Sequence, residues 1–101
     1  MSAYNRYYFA KELYPNYLVL ILKKDKLISF SSDLKVLNYI GFNNKISFIK
    51  RRKINFLILD NLDIVEIKNY DNDNLNKYLY LINIEKIFRE IKVIISQDDM
   101  L

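Results

Sequence analysis

A chain of 101 residues, 51% hydrophobic and 15% aromatic, has the size and apolar content of one domain around one core. Its 16 Lys and Arg against 12 Asp and Glu leave a formal charge of +4, a balance compatible with a polyanionic partner. With no Cys and no His, disulfides, the usual zinc sites and His-based triads are excluded, and a single glycine excludes a Gly-rich phosphate loop.

Ser2 is placed to cap a first helix running to about Tyr14, with Tyr7, Ala10 and Tyr14 on one face. Pro15 stops it, because the residue before a proline is pushed out of the α region. Tyr17 to Leu22 is a continuous β-prone run, as expected of a strand buried on both faces. Lys23-Lys24-Asp25 turns the chain, and Lys26 to Ser31 returns as the second strand of a hairpin. Ser31 or Ser32 then caps a second helix, Asp33 suits its positive end, and Gly41 suits the left-handed position after its last turn.

Ile46, Phe48 and Ile54 read as a third strand interrupted by Lys50-Arg51-Arg52-Lys53. Phe56 to Leu59 and Asp63 to Lys68 read as a fourth and a fifth. Asn69 to Asn74 is loop, and Asp71 or Asp73 is placed to cap a long helix. Along it Leu75, Tyr78, Leu79 and Ile82, then Ile84, Ile87, Phe88 and Ile91, recur at helical spacing. Val93 to Ile95 closes the expected sheet as a short strand, and residues 97–101 read as a frayed tail. The expected fold is α+β, order αββαβββαβ: a mixed sheet of about five to six strands with three helices, one domain over residues 1–101. The polar start Met1–Asn5 is unlike a signal peptide and the apolar runs are only strand-length, so a cytoplasmic setting is expected.

Three stretches, in order, carry a resemblance to a known family. They are Tyr7-x-x-x-Lys11-x-x-x-Pro15-Asn16, then the strand–turn–strand leading into Ser32-Asp33-Leu34-Lys35, then Ile46-Ser47-Phe48-Ile49-Lys50-Arg51-Arg52-Lys53. Less tightly, Asn76-Lys77-Tyr78-Leu79 and Lys92 to Asp98 continue the pattern. Over nearly its whole length the chain resembles the N-terminal, mismatch-recognition domain of the MutS DNA mismatch-repair family. The resemblance implies a DNA-contacting module, but the family's Gly-x-Phe-x-Glu reading turn falls on Lys24, Lys26 and Ile28. A wedge must be flat and apolar to stack in a base step, whereas lysine offers a point charge for phosphate. The implied function is therefore non-enzymatic binding to the backbone of duplex or branched DNA, with mismatch reading lost.

The candidate binding residues are Lys23, Lys24, Lys26, Lys45, Lys50, Arg51, Arg52 and Lys53, expected to converge along one edge. The tyrosines at positions 4, 7, 8, 14 and 17 suit a base-stacking platform, but packing of an amphipathic helix explains them better. Two other function classes remain open. One is a protein-interaction module from a mobile element or phage. The other is a small metal-dependent nuclease using Asp60 or Asp63 with Glu66 and Lys68, since alternation puts the last two on one strand face. No membrane, resident metal or small-molecule cofactor is expected.

Overall fold

The computed structural model describes residues 1–99, with side-chain surroundings for residues 1–93. Its elements are α1 (Ala3–Leu13), β1 (Leu18–Lys23), β2 (Lys26–Ile28), α2 (Ser31–Tyr39), α3 (Ile46–Arg51), β3 (Phe56–Asp60), β4 (Asp63–Lys68) and α4 (Leu75–Asp99). The α+β class therefore holds. The order is αββααββα, and the sheet has four strands rather than five or six, ordered β2-β1-β3-β4. β1 and β3 run parallel at the centre, and each outer strand pairs antiparallel with its neighbour.

Both central strands are buried on both faces, as their unbroken apolar runs require. On one face Val19, Ile21, Leu57 and Leu59 pack beneath Tyr7 and Ala10 of α1. On the other, Leu18, Leu20, Phe56 and Ile58 meet Val36, Leu37 and Ile40 around α2, Ile49 of α3 and Leu75 of α4. Ser2 caps α1 as expected, its Oγ accepting from the Asn5 amide at 3.2 Å. Gly41 takes φ +67° after α2, where the Phe42 amide reaches back to the Leu37 carbonyl at 2.9 Å. No serine caps α2. Its N-cap is Phe30, and the Ser31 hydroxyl instead meets the Tyr8 hydroxyl at 3.0 Å.

Two expected strands are helical. Ile46 and Ile49, three residues apart, turn one face of α3 toward the core, and Ile49 is fully buried. Four residues on from Phe48, Arg52 lays its guanidinium 3.8 Å over that ring and donates to the Phe48 carbonyl at 3.1 Å. Val93 to Ile95 lies inside α4, which meets no Gly or Pro between Leu75 and Asp99 to stop it. Of the expected tail, residues 97–99 belong to this helix; residues 100 and 101 lie outside the described residues.

One buried polar network ties three elements together. Asp33, fully buried, accepts from the Tyr7 hydroxyl and the Val19 amide at 3.0 Å each, and pairs with Lys11 at 3.0 Å. Lys11 also donates to the Tyr17 carbonyl at 2.6 Å. Burial first, then the charge of Asp33, pushes the Tyr7 phenol far above its ordinary value near 10. A raised folded pKa contributes stability that is complete below the unfolded value and lost as pH climbs past it. Denaturant midpoints measured from pH 8.5 to 11 should fall more steeply for the wild type above pH ~10 than for Tyr7→Phe. Parallel curves would show that Tyr7 ionises as easily folded as unfolded.

Candidate nucleic-acid interface

The β1–β2 hairpin closes with Lys23 directly opposite Lys26, leaving Lys24 and Asp25 as a two-residue turn. Both turn residues have positive φ, +47° and +61°, the arrangement of a type I′ turn that Asn-Gly fills without strain. Lysine and aspartate pay steric cost there, and two like charges face each other across the last rung. Replacing Lys24-Asp25 with Asn-Gly should raise unfolding free energy by about 1 kcal/mol. Unchanged or lower stability by urea titration would contradict that reading of the turn.

A second loop is fastened to this tip. Asn44 Oδ1 accepts from the Leu27 amide at 2.7 Å, and Asn44 Nδ2 donates to the Asp25 carbonyl at 3.3 Å. Asn43 Oδ1 in turn accepts from the Lys45 amide at 3.2 Å. These bonds bring the backbone of Lys45 beside the hairpin that carries Lys23, Lys24 and Lys26. All four lysines are exposed, and among the described residues none of them is in an ion pair.

The remaining candidates lie elsewhere. α3 starts beside the hairpin tip and runs back toward the opposite end of the sheet, where Lys53 leads into β3. There the Asn74 side chain donates to the Arg52 carbonyl and its amide to the Lys53 carbonyl, fastening the start of α4. Given the strand length, Arg51, Arg52 and Lys53 sit about 15 Å from the tip. Lys50 is paired with Glu66 at 2.8 Å, which raises its pKa, and Arg52 is spent on Phe48. The single basic edge expected from the sequence is thus two groups: the four tip lysines, and a second group in which Lys50 and Arg52 are engaged while Arg51 and Lys53 are exposed.

Ile28, at the position of the family's reading Glu, is half-buried and packs into the α1-side core. The tyrosines also serve packing: Tyr7 is buried, and Tyr4 stands edge-on to Tyr8 and Phe30 at 4.7 and 5.3 Å. Asp60 faces Asp63 across the β3–β4 turn, while Glu66 lies further along β4 in its pair with Lys50. Among the described residues no three acidic, His or Cys side chains gather closely enough to hold a metal ion. An open groove of about 460 Å³ between α2 and α4 is lined by Lys35, Asn38, Tyr39, Ile82, Glu85, Lys86 and Arg89. Its lining sets the cations Lys35, Lys86 and Arg89 beside the Glu85 carboxylate, the Tyr39 phenol and the Asn38 amide. No helix among the described residues is long and apolar enough to cross a membrane.

Compared with family models, curated proteins and solved structures, the chain finds no match. The geometry of the tip is therefore the main support for a functional reading.

Proposed function

We propose that the chain is a non-enzymatic module that binds the phosphate backbone of duplex or branched DNA through Lys23, Lys24, Lys26 and Lys45. The observation that carries this reading is the Asn44 clamp, which holds the Lys45 loop against a strained, lysine-rich hairpin tip. Four exposed ammonium groups on a scaffold suit phosphate oxygens at no fixed sequence, and binding relieves the Lys23–Lys26 repulsion. The MutS resemblance supports the reading through its first forty residues, where helix, hairpin and second helix follow in the family's order. Over Ile46–Arg51 and Lys92–Asp98, where the resemblance implies strands, the chain is helical and lends no support. Mismatch discrimination is not part of the proposal, because Lys26 and Ile28 offer no stacking ring and no acceptor for a base edge.

The test is a fluorescence-anisotropy titration of matched, mismatched and four-way-junction DNA at low salt. Binding without preference for the mismatch is expected, and reversing the four tip lysines to glutamate should abolish it. Binding that survives this reversal, or a clear mismatch preference, would overturn the reading.

A further inference from the structure

α4 changes sides half-way along. Leu75, Tyr78, Leu79 and Ile82 all pack into the α2–α3 side of the core. At about 100° per residue their common direction lies about 180° from that of Ile84, Ile87, Phe88 and Ile91. From Glu85 to Arg89 the inner face is polar: Glu85, Lys86 and Arg89 look across the open groove toward Lys35, Asn38 and Tyr39. The outer face is apolar: Ile87 is 53% exposed, Phe88 64%, Ile91 45%, and Tyr80, one turn before Ile84 on that face, 64%. Positions 80, 84, 87 and 91 are spaced 4, 3 and 4 apart, the seam of a coiled coil, with Phe88 widening it. A helix of 25 residues is about 37 Å long, which gives the molecule its long axis of 57 Å. An apolar seam turned away from the domain's own core has nothing among the described residues to cover it.

We infer that this outer face of α4 is a self-association surface, covered by the same face of a second copy of the chain. Charge argues for a second copy. On one flank of the seam stands Lys92, and on the other Glu90 beside Asn83. Laid parallel, Lys92 of each copy meets Glu90 of the other, while Glu85 stays on the groove side in its pair with Arg89. The patch is complementary to itself with the helices parallel, whereas a uniformly charged partner would meet both signs. Sterics agree, because the seam points away from the core-facing side of α4, so two helices back to back leave their domains on far sides. This inference does not depend on phosphate binding at the hairpin.

Sedimentation equilibrium of the whole chain tests it. A dimer or small closed oligomer is expected at micromolar concentration. Phe88→Glu with Ile91→Glu should weaken association about 100-fold or more, with helical circular dichroism kept. Ile67→Glu on the exposed face of β4 should change nothing. Lys92→Glu alone should weaken association. Adding Glu90→Lys should restore it by re-forming the exchanged pair between parallel helices. A monomer at 100-fold higher concentration (~100 μM), or association indifferent to Phe88→Glu/Ile91→Glu, would overturn the inference.

Discussion

Asp33→Ala is expected to remove about 3–5 kcal/mol of stability. The reason lies in where β2 ends. Its ladder with β1 begins at Ile21–Ile28, so Val19, two residues earlier on β1, has no strand on that side. Side chains stand in for it: Asp33 accepts from the Val19 amide, and the Ser29 hydroxyl donates to the Val19 carbonyl at 2.7 Å. Removing the carboxylate orphans this amide at a fully buried residue, the Tyr7 hydroxyl, and one contact of the half-buried Lys11 ammonium. Each buried group left unpaired costs about 1–3 kcal/mol, and a charge costs more. Against a total of about 5–15 kcal/mol for a domain, the variant approaches the edge of folding. Asp33→Asn should lose less, since its carbonyl oxygen can still serve Val19 while the charge facing Lys11 is gone. The check is urea unfolding of all three proteins with far- and near-ultraviolet circular dichroism. A loss below about 1 kcal/mol for Asp33→Ala would show that the network relaxes onto solvent and does not tie α1, β1 and α2 together.

This network shows where sequence reasoning stops. Asp33 read as a helix-dipole residue, and its position after two serines suits that role well. Tyr7 and Lys11 sit one turn apart on one helix face, so sequence alone can group those two. Nothing local says that Asp33 lies opposite them, because that depends on how α1 crosses the sheet. Local chemistry was legible where it decides structure by itself: the Ser2 cap, the Pro15 stop, the Gly41 left-handed turn and the unbroken runs of β1 and β3. Ile46–Lys53 misled because β-branched and aromatic residues at 46 and 48 mimic alternation. The deciding contacts, Ile49 in the core and Arg52 over Phe48, are tertiary or helix-specific. The tip was legible as a basic turn, but its fourth lysine depends on Asn44, a loop residue with no periodic signal.

On the proposed phosphate-binding reading, the salt dependence of DNA binding should report four phosphate contacts and not eight. Each neutralised phosphate on duplex DNA contributes about −0.9 to the slope of log affinity against log salt. Were all eight candidate cations on one edge, the slope would approach about −7, and affinity would fall about 10⁴-fold between 50 and 200 mM salt. The fold separates them: Lys23, Lys24, Lys26 and Lys45 share the tip, while Arg51 to Lys53 lie at the other end of the sheet and Lys50 is held by Glu66. The expected slope is therefore about −3.6, and the loss over that interval about 100-fold. Charge reversals sharpen the division. Lys24→Glu should weaken binding at every sequence alike and flatten the slope by about 1, whereas Arg51→Glu should leave the slope unchanged. Glu66→Gln, which frees Lys50 from its partner, should likewise leave the slope near −3.6, since Lys50 lies on α3 away from the tip. A slope near −7, or equal effects of Lys24→Glu and Arg51→Glu, would mean that DNA wraps both ends of the sheet.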